Sequence, residues 1–209
     1  FIQVNANDSV ASVLEAQGHH YLAYEQNAEA IVKFEEALDL SRQYQDNEPI
    51  VNTLIWLSEA HRWQGDLETA TAFYSEAKTL IAAEENILRK AELLESLGRH
   101  EAQQARFSDA ATQFESALDL RREIQDNYRI ANTLLRLGNA YRNAGQSGKA
   151  MLALTEAAET YLHEEYYSNA VTALSALGWL HNSLDDYENA LAIWQMVQEI
   201  SLAINDDMG

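Results

Sequence analysis

The chain has 209 residues, with 33 acidic and 14 basic side chains and a net charge of -19. Such an acidic surface repels nucleic-acid phosphates and anionic lipid, and no apolar run approaches the roughly 18 to 20 residues of a membrane span, so this segment is not expected to bind nucleic acid or membrane. The absence of cysteine excludes a disulfide scaffold, a thiolate zinc site and a cysteine nucleophile, and favours a reducing, cytoplasmic setting.

The composition predicts an all-α fold. A single proline and eight glycines leave little material for the tight turns of a β protein, whereas Ala, Leu, Glu and Gln favour helices. The first residue is Phe1, and no secretory signal pattern precedes the helical pattern. We therefore expect the chain to be a piece of a longer protein.

Five similar segments follow one another at a step of forty residues, which indicates a repeat architecture. The alanine column contains Ala30, Ala70, Ala110, Ala150 and Ala190. The small-residue column contains Gly18, Ser58, Gly98, Gly138 and Gly178. Each repeat has two stretches of helical period separated by a polar turn, so it is predicted to be a helix, a turn and a second helix. The predicted repeats span residues 8–47, 48–86, 87–127, 128–167 and 168–207 of one domain.

One stretch recurs with unusual identity eighty residues apart. FEEALDLSRQYQDN begins at Phe34 and FESALDLRREIQDN at Phe114, and ten of the fourteen positions agree. Both copies end at a predicted boundary between two repeats. Their Asp and Asn residues are good helix N-caps, so we interpret this recurring stretch, which we call the echo, as the boundary between one repeat and the next.

The fourth repeat carries a recognisable pattern. It contains Leu134, Leu137-Gly138, Tyr141, Ala150 and Leu154 at the spacing of the tetratricopeptide repeat, so the chain resembles that family in a longer-period form. The period of forty residues, rather than thirty-four, and the missing closing proline depart from the usual pattern. The resemblance implies an α-solenoid of about five repeats that forms a right-handed superhelix with an extended concave groove.

By the same resemblance, the first helix of each repeat lines the groove and holds a peptide or partner segment. The outward positions, counted from the leucine and glycine columns, include Glu15 and His19 in the first repeat. The predicted binding residues are Asn52, Glu59, Arg62, Trp63, Glu95, Arg99, Gln103, Asn132, Asn139, Arg142, Asn143, Trp179 and Asn182. Asparagine suits the unpaired amides of an extended backbone, and arginine can fork a carboxylate.

No catalytic site, metal site or cofactor-binding pattern stands out, so the chain is not expected to be an enzyme. His163 begins a zincin-like stretch but lacks the second histidine four residues later, and the glycines form no phosphate loop. The leading hypothesis is a protein-interaction module of a larger signalling or regulatory protein. The alternatives are a small-molecule-sensing array of a multidomain transcription regulator, and a scaffold that forms a homodimer through the C-terminal helix.

Overall fold

A computed structural model describes residues 2–44 and 47–207. These residues form ten α-helices and no strand. The helices are α1 (Ile2–Ala23), α2 (Asn27–Tyr44), α3 (Asn47–Gln64), α4 (Leu67–Ala83), α5 (Ile87–Gln103), α6 (Phe107–Ile124), α7 (Asn127–Asn143), α8 (Ser147–His163), α9 (Tyr167–Ser183) and α10 (Tyr187–Asp207). Helix α1 begins before residue 8, where the first repeat was predicted to start, because no proline or glycine interrupts residues 2–8.

The chain divides into two compact units, which we call the N-terminal block (Phe1–Leu93) and the C-terminal block (Leu94–Gly209). The boundary falls within α5. In the N-terminal block, α1 packs on α2, α2 on α3 and α3 on α4, and in the C-terminal block consecutive helices from α6 to α10 pack in the same way. A single array over all five repeats, and the hand of its superhelix, stay predictions.

The small-residue column sets the distance between paired helices. A Cβ placed on Gly98 would lie 2.9 Å from Cε1 of Phe114, and one on Gly138 would lie 2.7 Å from Cγ of Leu154. Both distances are shorter than real side chains tolerate, so glycine allows the large residue of the second helix to pack directly against the first. The predicted role of this column in helix packing is confirmed at these two positions.

The turn within each pair repeats as regularly as the helices. A residue with φ between 56° and 85° stands at the same register in every turn, in the order Glu25, Gly65, Ala105, Gly145 and Asp185. The next residue donates its backbone N–H to a carbonyl five residues earlier, as in the bonds Arg106–Glu101 (2.9 Å) and Asp186–His181 (3.0 Å). This left-handed residue ends the first helix and allows the chain to reverse.

The echo at eighty residues marks matching junctions between repeats. Arg42 pairs with Glu76 on the next second helix at 2.6 Å, and Arg122 pairs with Glu156 at 2.7 Å. The predicted N-cap is confirmed in the second copy, where the Asp126 carboxylate accepts the Arg129 backbone N–H at 3.1 Å. The corresponding Asp46 lies outside the described residues.

Candidate functional site

The C-terminal block contains a recess of about 280 Å³ where α5, α6 and α7 meet. Its lining residues are Arg99, Ala102, Gln103, Phe107, Phe114, Arg136, Asn139, Ala140 and Asn143, and we call it the arginine recess. Arg99, Gln103, Asn139 and Asn143 belong to the predicted binding set. The structure therefore brings together four residues that the sequence placed on two separate helices.

Helical spacing explains how these residues reach one place. Arg99 and Gln103 are four residues apart on α5, whereas Arg136, Asn139 and Asn143 follow one another at three and four residues on α7. Residues at these spacings share one face of a helix. The recess thus has a polar wall on each first helix.

The second helix supplies the apolar floor. Phe114 on α6 is only 2% exposed, because Gly98 allows its ring to lie against α5. Phe107 at the start of α6, together with Ala102 and Ala140, completes the apolar lining. A ligand in the recess would meet an apolar surface below and polar side chains at the rim.

The electrostatics of the rim favour an anion. Arg99 and Arg136 are both exposed, and neither has a carboxylate partner among the residues that the structure describes. No acidic residue lines the recess, although the whole chain has a net charge of -19. Two guanidinium groups over an apolar floor can bind a carboxylate through paired N–H donors.

Arg136 lines the recess but was not among the binding residues predicted from the sequence. This residue lies one turn before Asn139 on the same face of α7, so helical spacing alone could have included it. The count from the leucine and glycine columns passed over it, between Asn132 and Asn139. The apolar floor was missed as well, because Phe107 and Phe114 belong to the second helix.

In the N-terminal block, one predicted binding residue is not on the surface. Glu59 is 1% exposed and accepts a hydrogen bond from Arg62 at 2.7 Å, so its predicted outward position is wrong. The guanidinium neutralises the buried carboxylate and covers it. Trp63 is exposed and Asn52 is half-buried.

The Glu95 side chain forms hydrogen bonds to two neighbouring helices. Its carboxylate accepts a hydrogen bond from the Arg121 guanidinium at 2.8 Å and another from the Thr133 hydroxyl at 2.9 Å. The Thr133 hydroxyl is also 2.9 Å from the Arg129 carbonyl, so its single proton is shared between the two acceptors, whereas the Arg121 guanidinium is bonded to Glu95. A role in holding neighbouring helices explains this residue more directly than a role in the groove.

The other predicted residues of the C-terminal block lie apart from the arginine recess. The Asn132 amide donates to the Tyr128 carbonyl at 3.0 Å. Trp179 is exposed, with its ring centroid 5.4 Å from that of Trp194. Arg142 and Asn182 are half-buried.

Glu101 is a buried acid near the recess. It is 1% exposed at the register where other repeats have tyrosine or histidine. Burial raises the pKa of its carboxyl to about 7, and Asp109 on α6 adds to the rise, whereas Arg106 and Gln113 oppose it. This acid holds a proton over part of the physiological pH range.

Two further classes of site, a metal centre and a membrane-spanning helix, are absent from the described part of the chain. There, no three His, Asp or Glu side chains are grouped so that they could hold a metal ion. Across residues 2–44 and 47–207, no helix combines the length and the apolar character needed to cross a bilayer.

Known proteins resemble this chain in fold rather than in sequence. No protein-family model and no curated protein matches the sequence. A kinesin light chain with nearly identical TPR-like repeats from Podosopora anserina has a TM-score of 0.70 at 13% identity, over 94% of this chain and 97% of that chain. The chain has a tetratricopeptide-like fold.

Two other solved structures support the tetratricopeptide-like fold. BtubC (BKLC) from P. vanneervenii has a TM-score of 0.63 at 18% identity and covers 96% of this chain and 92% of that chain. The apo form of RapI has a TM-score of 0.65 at 15% identity, over 90% of this chain but 52% of that chain. At these identities the likeness shows the fold alone, and it confirms the predicted all-α repeat architecture.

Proposed function

We propose that this chain is a protein-interaction module, with no enzymatic activity, whose C-terminal block holds a segment of a partner protein in the arginine recess. It would serve a larger cytoplasmic signalling or regulatory protein. One observation carries the proposal: Arg99 and Arg136, each without a carboxylate partner among the described residues, meet over an apolar floor. Such a site suits an acidic side chain next to an apolar one.

The amide side chains of the recess suit the backbone of an extended segment. Asn139 uses its N–H on the Leu135 carbonyl at 3.0 Å, so its side-chain oxygen stays available as an acceptor. Gln103 and Asn143 each offer a donor and an acceptor from opposite walls. An extended peptide has unpaired amides and carbonyls on alternate sides, which these groups can satisfy.

The open shape of the recess favours a peptide over a small-molecule ligand. A small molecule usually binds in a pocket that buries most of its surface. The arginine recess has a volume of about 280 Å³ and is open to solvent, so it suits the side chains of a segment that continues along the surface better than a ligand that must be enclosed. We therefore favour a partner segment over the metabolite-sensing alternative.

A displayed library of random peptides, selected against the whole chain, tests the proposal. Peptides recovered on the wild type should carry acidic residues and bind the Arg99→Gln/Arg136→Gln variant at least about tenfold more weakly, since a hydrogen bond to a charged group contributes roughly 1.5 to 3 kcal/mol. Arg142→Gln is the matched control, because Arg142 lies on α7 but does not line the recess. Equal affinity of the selected peptides for the wild type and the double variant would place the site elsewhere.

Self-association is a second candidate role, favoured by the last helix. Leu191, Met196 and Leu202 on α10 are all about half exposed. Exposed apolar residues on the outer side of a helix are a common element of homodimer interfaces. Sedimentation equilibrium of the wild type and of a Leu191→Glu/Leu202→Glu variant tests this role, and a wild type that stays monomeric at high concentration rules it out.

A further inference from the structure

The C-terminal block holds an arginine side chain in a site built from two helices. Arg121 on α6 is 1% exposed, and its Nε donates to Glu95 Oε1 on α5 at 2.8 Å. The Thr133 hydroxyl on α7 donates to the same oxygen at 2.9 Å and so orients the carboxylate. Here a glutamate carboxylate that is oriented by a threonine hydroxyl binds a guanidinium group.

The N-terminal block has the same pair of glutamate and threonine side chains, but no arginine at the third position. Eighty residues before Glu95 and Thr133 stand Glu15 and Thr53, and the Thr53 hydroxyl again donates to Oε1 of the glutamate. At the register of Arg121, the chain has Ser41. This serine is 4% exposed, and its hydroxyl has no hydrogen-bond partner among the described residues.

The carboxylate of Glu15 lacks a compensating charge. No lysine, arginine or histidine pairs with it within the described residues. Burial raises the pKa of Glu15, and the bond from Thr53 only partly opposes the rise. A half-buried carboxylate of this kind can be neutralised by a proton or paired with a cation that also donates hydrogen bonds to it.

We propose that Glu15 and Thr53 form a binding site for a guanidinium group supplied by an arginine of a partner protein. The C-terminal block shows that this pair of side chains, at this register, accepts a guanidinium. Ser41 has a hydroxyl in place of a guanidinium group, and Glu15 is partly exposed and can be reached from solvent. The site is separate from the arginine recess and does not depend on it.

A free guanidinium compound tests the site on the whole chain. Methylguanidinium at millimolar concentration should bind the wild type saturably, as followed by chemical shifts of the Thr53 and Glu15 amides. Glu15→Gln should weaken this binding at least about tenfold, because a hydrogen bond to a charged acceptor is lost. Ser41→Arg should abolish it by filling the site from within, and methylammonium should bind more weakly because it lacks the planar fork.

The C-terminal block provides the matched control. Arg121→Ala removes the internal guanidinium, so methylguanidinium should then also shift the Glu95 and Thr133 amides. Saturable binding that disappears in Ser41→Arg supports the proposal. No saturable binding to the wild type, or binding that survives in both Glu15→Gln and Ser41→Arg, overturns it, as does binding to Arg121→Ala at Glu95 alone.

Discussion

In the C-terminal block, Arg121 is bonded to Glu95, whereas in the N-terminal block the same register holds Ser41 and Glu15. The surrounding junctions match, since Arg42–Glu76 and Arg122–Glu156 have the same geometry eighty residues apart. The two blocks therefore share these ion pairs between neighbouring second helices and differ in the buried charge at the register of Arg121. A repeat framework can keep its packing while individual charged positions change.

The outward faces of the first helices differ more strongly. Arg99 and Arg136 of the arginine recess correspond, eighty residues earlier, to His19 and Trp56. The His19 ring lies edge-on to Trp56 at a centroid distance of 4.3 Å, and burial lowers its pKa. One block thus presents two arginines with no carboxylate partner among the described residues, where the other presents a packed aromatic pair, so the two faces suit different ligands.

The largest expected effect comes from making the C-terminal block resemble the N-terminal one. Arg121→Ser leaves the Glu95 carboxylate half-buried and uncompensated, so we expect the free energy of unfolding to fall by about 3 kcal/mol. Urea denaturation followed by circular dichroism measures the change. A loss well below 1 kcal/mol would show that Glu95 is solvated enough to do without its partner.

The buried acid Glu101 should make the C-terminal block sensitive to pH. Its pKa is about 7 in the folded state and near the ordinary value of 4.5 when unfolded, so the unfolded state releases its proton first and stability falls as pH rises from about 4.5 to about 7. Glu101→Gln should remove this loss, which amounts to roughly 2 to 3 kcal/mol above pH 7.

Hydrogen exchange of the α5 and α6 amides between pH 5 and 8, corrected for intrinsic rates, measures this dependence. The N-terminal block has Tyr21 and His61 at the register of Glu101 and provides the internal comparison. An exposed acid, Glu123→Gln, is the control substitution. A wild type and Glu101→Gln with the same pH profile would contradict the prediction.

A smaller effect is expected at the glycine column. Gly138→Ala would place a Cβ 2.7 Å from Leu154 Cγ, and we expect it to cost roughly 1 to 3 kcal/mol of stability through overpacking. In the N-terminal block, Ser58 already has a Cβ at this register. Gly148→Ala, with nothing within 4 Å of the new atom, is the control and should be neutral or slightly stabilising. Equal melting temperatures of the two variants would contradict the close approach of α7 and α8.

The smallest effect should come from the links that the two blocks share. The side chains of Arg122 and Glu156 are each 48% exposed, so Arg122→Ala should change the free energy of unfolding by no more than about 1 kcal/mol. Arg42→Ala should have the same small effect, because the Arg42–Glu76 pair is similarly exposed. Thermal melts at low and high salt test both variants, and a loss above 2 kcal/mol would show that the exposed pairs carry the junctions.

Most of the fold could be predicted because its determinants are periodic. The alanine and small-residue columns mark the buried faces, and Gly98 and Gly138 meet Phe114 and Leu154 as that pattern implies. The candidate site could be predicted only in part. Arg99 and Asn139 were predicted as outward residues and line the recess, whereas Glu59 and Glu95 were predicted in the same way and are instead bonded to Arg62 and Arg121.

The sequence by itself determined the repeat, the helical pairs and the N-cap at Asp126, because each depends on spacing or on bonds to near neighbours in the chain. The tertiary structure alone decided that Arg136 joins Arg99, and that Arg121 neutralises Glu95 while no cation among the described residues pairs with Glu15. These outcomes depend on how residues of different helices face one another. Periodicity predicts which side of a helix faces outward, but only the packing of neighbouring helices determines which charged side chains pair with one another.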